Sequence, residues 1–267
     1  MPEGGHRLKI PATLGAALVM FAASASADIN DIRKRGQLRV LVTEGTPQFF
    51  AWKAGARPGL EREVLQGFCR LQRVDMAIVP VPSRATLLQA LLKGEGDVAA
   101  GALSATGAVD DGLLFSSEVL PTRHVVVTRK PSHSVLTLDE LRAQTKVGTS
   151  RGTALAEAVS GAGVPAAQVD DSLAPDGLLA ALKAGKVSSC VVGVEQALPA
   201  HREDPDLLLG MYLGGKVSLA FALRKDDVQL RGALNEYIGN MRRSAAWNRL
   251  VLSYFGDAAA DILKAAR

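Results

Sequence analysis

Asp97 to Lys130 reads DVAAGALSATGAVDDGLLFSSEVLPTRHVVVTRK, and the two apolar runs at its ends decide the fold. DVAAGAL follows the turn Gly94-Glu95-Gly96 and reads as a buried strand that ends in a loop. HVVVT is a second, β-branched run between Pro121 and Pro131. Between them lie Ser104, Ala105, Thr106 and Gly107, all small or polar. A strand end that feeds a small polar loop is where open α/β sheets hold ligands.

Upstream, Leu38–Val42 predicts a strand and Met76–Pro80 another, with Leu60–Leu71 repeating apolar residues at helical period between them. Ser83 is set to cap a helix over Arg84–Leu92, and Val98–Ala102 is the third strand. Ile29–Gly36 reads as a polar, basic lead-in. Downstream, Thr137-Leu-Asp-Glu140 is a capping box. Strands follow at Lys146–Thr149, Gln168–Asp171 and Ser189–Val194, with helices starting at Ala154 and Asp176. Leu207–Leu213 and Val217–Leu223 predict two more strands. Two helices and a short amphipathic tail, Asp257–Arg267, complete the chain. Two β-α-β-α-β units joined by two strand-like connectors predict an α/β, two-lobed clamshell. Each lobe has a mainly parallel sheet flanked by helices, and a hinge joins them.

The N-terminus carries Arg7 and Lys9, an apolar Ile10–Ala23 run, and the small-residue site Ala25-Ser26-Ala27. That is a secretory signal over residues 1–27, cut before Asp28, and it implies a periplasmic protein. The expected boundaries are residues 28–125 and 217–267 for lobe 1 and 126–216 for lobe 2. The net charge of +4 is interspersed, with no basic stripe carrying aromatics, so nucleic acid is not expected. Cys69 and Cys190 fall in different lobes and are expected to be free thiols. The four His form no cluster, and neither metal nor other cofactor is expected.

Phe50 and Trp52 belong to an aromatic group, with Phe49, that is a ligand wall or a packed loop. Ser104 and Thr106 offer hydroxyls. The turn Ser150-Arg151-Gly152-Thr153 offers N–H groups at a helix start, with Arg151 either a ligand charge or a solvated turn residue. Glu61 and Glu63 read as helix-start charges. Arg123 and His124 read as hinge or surface residues.

DIRKRGQLRVLV, PGLEREVLQGF, KGEGDVAAGALSAT, LLFSSEVL, TLDELRAQTKVGTSRGTALAE and LNEYIGNMRRSAAWNRLVLSYFGD, in this order, resemble bacterial solute-binding protein family 3. These are periplasmic receptors for amino acids and related solutes, and the likeness covers residues 28–256. The spacing from Pro47 to Gly59 and the run from YFGD into ADILKAAR are also similar to the N-terminal, non-catalytic domain of membrane-bound lytic transglycosylase F. The family resemblance implies a Thr-x-Thr-x-x-Arg loop whose Arg grips an α-carboxylate, but Val109 stands at that position, followed by Asp110 and Asp111. It also implies an acid for the ligand's ammonium where Gly193 or Val194 stands, with Glu195 just beyond. On that basis free α-amino acids are not expected to bind tightly.

The function expected is a monomeric, non-enzymatic receptor of a small polar solute that serves an inner-membrane ABC permease. The alternative is a sensor module like the transglycosylase domain. A third reading, a cyclohexadienyl dehydratase-like elimination, would use Glu195 or Glu63 as the acid.

Overall fold

A computed structural model describes residues 29–43, 47–53, 55–105 and 112–265. Ten strands form two five-stranded sheets. The first has the order β2-β1-β3-β10-β4, from β1 (Gln37–Val42), β2 (Asp75–Pro80), β3 (Val98–Ala99), β4 (Leu113–Phe115) and β10 (Ala222–Arg224). The second has the order β7-β6-β8-β5-β9, from β5 (Leu120–Arg129), β6 (Val147–Gly148), β7 (Val169–Asp170), β8 (Ser189–Gly193) and β9 (Leu207–Leu219). In each sheet three parallel strands are followed by two antiparallel ones.

The alternation of side chains along the strands builds the core. Leu38, Val40 and Val42 of β1 enter a large cluster, while Leu41 points to the opposite face. In the second sheet Val125 and Val127 face that same cluster and Val126 faces a third one. Helices cover both faces. They include α3 (Leu60–Gln72), α4 (Arg84–Leu92), α6 (Ala154–Gly161) and α7 (Leu178–Lys183). The capping boxes act as the sequence implies. Ser83 accepts from the Thr86 N–H, and Thr137 from that of Glu140.

Several elements differ from the sequence reading. Ile29–Arg35 is a helix, α1, because Ile29 and Ile32 lie on one buried face. Between it and α3 a short α2 (Pro47–Phe50) forms, whereas α5 (Leu138–Arg142), after β5, is the short helix that the capping box at Thr137 opens. The third strand stops at Ala99, since Gly101 (φ 130°) and Ala102 (φ 55°) leave extended geometry. Leu207–Leu219 is one long strand. Val194–Glu203 is a helix, α8, which the sequence hides because Pro199 lies inside it.

The chain passes between sheets at Ser116–Val119 and returns at Ala220–Phe221. The two passages are hydrogen-bonded, Ser116 N–H to the Phe221 carbonyl at 2.9 Å and Val119 N–H to that of Leu219 at 2.8 Å. β5 therefore lies wholly in the second sheet, and the expected boundary at 125/126 falls inside it. Helices α9 (Val228–Arg242) and α10 (Ala245–Phe255) pack on the first lobe. The tail assigned to lobe 1 is a helix, α11 (Ala258–Ala265), and it packs on α8 of the second lobe. Ile262 is buried there and Arg202 pairs with Asp261 at 2.6 Å.

Cys69 on α3 and Cys190 on β8 are free and buried, and burial pushes both thiols up to about 12. Alkylation is therefore expected to spare both in the native protein and to label both after denaturation without reductant. A peptide crosslinked through the two would contradict this.

Candidate functional site

In a parallel β-α-β unit the C-terminal end of each strand and the N-terminus of the following helix share one edge. Here the helix starts that follow β1, β2, β6 and β8 carry Glu61, Arg84, Thr153 and Glu195. The two edges face each other across the hinge. Between them lies a narrow cleft, lined by Arg84, Ala102 and Ser104 from the first lobe, by Thr122, His124 and Leu219 from β5 and β9, and by Thr153, Ala154, Leu155, Pro175, Gly193, Glu195 and Gln196 from the second.

The first-lobe wall is built on Glu61, which is 1% exposed. Its carboxyl accepts the Gly101 N–H at 2.8 Å and the Ala102 N–H at 3.2 Å. Arg84 donates to the carbonyls of the same two residues, at 3.3 and 3.5 Å. A carboxyl on one side and a guanidinium on the other thus hold a two-residue turn in positive-φ geometry, and that turn leads to Ser104 at the cleft. The role of Glu61 is this turn, beyond the helix-start charge expected. Of the five N–H groups on Arg84, two are used in these bonds. The residue lines the cleft, and burial lowers its pKa against the pull of Glu61. Sequence reading passed over Arg84, because at a helix start it looks like an ordinary surface charge.

On the opposite wall Glu195 is 5% exposed. Its carboxyl accepts a hydrogen bond from the Thr122 hydroxyl and folds back over Gly193, where any Cβ would collide with it. The glycine therefore leaves room for the Glu195 carboxyl beside the positions, Gly193 or Val194, where the family resemblance implies an acid. His124 pairs with Gly193 in the β5–β8 ladder, and is buried rather than a surface residue.

Ser104, Thr153 and Glu195 line the cleft, and the other described candidates, Phe50, Trp52, Ser150, Arg151 and Gly152, are not among its lining residues. Phe50 is in the core, and Trp52 packs against that core. Ser150 is buried and bridges Ser172; its carbonyl accepts from the Thr153 hydroxyl at 2.6 Å. Gly152 turns the chain at φ 70°. Arg151 is exposed and forks onto Asp171 at 2.7 and 2.9 Å, so its charge is spent in a surface pair away from the cleft. Glu63 bonds the Tyr254 hydroxyl at 2.5 Å. Thr106, Val109, Asp110 and Asp111 lie outside the described residues.

Burial raises Glu61 and Glu195 from 4.5 to about 7, and lowers His124 from 6.5 to about 4. A carboxyl raised by folding holds protons that the unfolded chain releases, so stability falls as pH rises from 4.5 to 7. The buried imidazole acts in the opposite sense between 4 and 6.5. Two carboxyls outweigh one imidazole. The unfolding free energy is expected to drop by roughly 3 kcal/mol from pH 5 to pH 8. Urea titrations across that range check it; a stability that rises with pH would contradict the burial of these carboxyls.

The sequence profile of bacterial extracellular solute-binding proteins, family 3, matches residues 38–257. The chain is 25% identical over 265 residues to a membrane-bound lytic murein transglycosylase F of Alcanivorax borkumensis, covering 97% of this chain and 56% of that protein. It is 26% identical over 234 residues to the same enzyme of Aeromonas hydrophila, covering 86% and 47%. The chain thus spans about half the length of the curated relatives it matches. Among solved structures, a mutant of ArgBP from T. maritima superposes with a TM-score of 0.75 at 22% identity, over 86% of this chain and 99% of that one. An amino acid ABC transporter substrate-binding protein from Streptococcus pneumoniae, bound to L-arginine, gives 0.73 at 20% identity, over 87% and 97%. The two-lobed fold is theirs, and by the family match the chain belongs to the bacterial extracellular solute-binding proteins, family 3.

Proposed function

We propose that this protein is a periplasmic receptor whose interlobe cleft binds a small zwitterion, an α-amino acid or a compact derivative, without chemical change. The observation that carries this reading is one cleft with Arg84 on its first-lobe wall and Glu195 on its second. The ligand's carboxylate meets Arg84 and the N–H groups at the start of α6, where Ala154 and Leu155 line the cleft. Its ammonium meets Glu195. On this reading Arg84 and Glu195 take the two charged roles that the expectation drawn from Val109 left unfilled. The likeness to ArgBP from T. maritima and to the amino acid ABC transporter substrate-binding protein bound to L-arginine supports delivery to an inner-membrane ABC permease. The coverage of the transglycosylase relatives favours a second reading, a regulatory binding module. Permease and ATPase genes beside this one would favour the first.

The test is a thermal-shift screen of the purified protein against amino acids, dipeptides, muropeptides, polyamines and organic acids, followed by calorimetry on each hit. Glu195 must be ionised to hold an ammonium. Affinity is therefore expected to rise with pH through about 7 and to be on the order of 100-fold weaker at pH 5 than on the plateau. Glu195→Gln should flatten that profile. An amine ligand whose affinity ignores pH between 5 and 8 would sink the assignment of Glu195.

A further inference from the structure

The second lobe separates its charges. Beside the cleft, a groove carries Asp176, Glu195 and Glu203 with no basic residue lining it. At the far end of the second sheet an open groove carries Arg129, Lys130, Lys146, Lys183 and Lys186 with no acidic one lining it. His124 at the cleft and Arg129 at the basic groove are five residues apart on β5, roughly 16 Å.

Three of these exposed lysines pair with aspartates outside the lining, Asp206 exposed and the other two half-buried: Lys130 with Asp206 at 3.3 Å, Lys146 with Asp170 at 2.8 Å, and Lys183 with Asp204 at 3.2 Å. Surface pairs of this kind contribute little and exchange readily for a better carboxylate partner. Lys186 is exposed and has no acidic partner among the described residues. Arg129 spends one N–H on the Lys183 carbonyl at 3.2 Å, and its buried Nε has no acceptor. Five cations against three aspartates leave a local excess of two positive charges. The excess lies over a floor that includes Leu182 and Val187.

We propose that this groove docks an acidic peptide segment of a protein partner. Its concavity suits an extended chain, whereas a flat lipid surface would reach only the rim. Lysine ammoniums on flexible stems accept carboxylates at varied spacings, and the apolar floor suits aliphatic side chains between them. The groove lies entirely within the second lobe, away from the hinge, so a partner held there leaves the cleft free to open and close.

The probe is a fluorescein-labelled octaglutamate peptide, read by anisotropy on the full chain at 50 and 300 mM salt. We expect saturable binding at low salt that weakens at high salt. We also expect about tenfold weaker binding in Lys183→Gln/Lys186→Gln, with an unchanged unfolding midpoint. Lys34→Gln, on the remote helix α1, should bind as wild type. Inorganic phosphate at equal ionic strength should not compete beyond the salt effect. The proposal is overturned if octaglutamate does not bind, if the double variant binds as well as wild type, or if phosphate displaces the peptide stoichiometrically. It also fails if the protein sediments with phosphatidylglycerol vesicles while ignoring the peptide. Cleft ligands are absent from all these measurements, so the outcome is independent of the amino-acid reading.

Discussion

Arg84→Ala is expected to weaken binding of the cleft ligand by two to four decades while leaving the protein folded. A carboxylate enclosed between the lobes loses its water and must be paired, and truncating one member of a desolvated charge pair costs about 2–5 kcal/mol. The loss should appear mainly in the dissociation rate, since the partner acts after the cleft closes. Arg84→Lys keeps the charge but not the planar fork, and should fall between. Arg84 also bonds the Gly101 and Ala102 carbonyls, at distances that mark weak bonds, so a small fall in stability accompanies the change. Calorimetry on wild type and both variants decides the matter. Unaltered affinity in Arg84→Ala would show that the carboxylate is held elsewhere. Arg151→Ala is the control, because its guanidinium sits on Asp171 and the residue is not among those that line the cleft, and no loss of binding is expected.

Glu61→Ala is expected to give the largest fall in stability among the site residues, roughly 2–4 kcal/mol. It strands two backbone N–H groups, those of Gly101 and Ala102, in a buried setting, and each orphaned donor costs about 1–3 kcal/mol. It also frees the turn that holds Ala102 at φ 55°, a geometry unfavourable for any residue with a Cβ. The same turn leads to Ser104, so ligand affinity should fall as well, through misplacement rather than lost contact. Glu61→Gln retains an acceptor oxygen and should cost less than half as much. Urea unfolding at pH 8, where the wild-type carboxyl is ionised, is the measurement. A Glu61→Ala protein as stable as wild type would mean the turn holds itself.

The sequence by itself determined the architecture. Short apolar runs along Leu38–Val42 and Val125–Val127, and apolar residues at helical period along Leu60–Leu71, are local signals that survive in the folded state. So are the caps at Ser83 and Thr137, whose bonds span only three residues. Where a local rule pointed the wrong way, tertiary packing had won. Pro199 argued against α8, yet the helix accommodates it. Ile29 and Ile32 were too few to announce α1, yet burial fixes it.

The site was less legible, because its members are neighbours in space and not in sequence. The family resemblance placed Val109 where an arginine was expected and stopped there. Only the tertiary structure brings Arg84, from a helix start one strand earlier, to the same sheet edge as the end of β3. The resemblance likewise found Gly193 or Val194 where an acid was expected. The missing side chain of Gly193 is what lets the Glu195 carboxyl fold back into the cleft. Phe50 and Arg151 looked like ligand residues by type and position. Which way they point, into the core and out to Asp171, is decided by packing and pairing with residues distant in the chain.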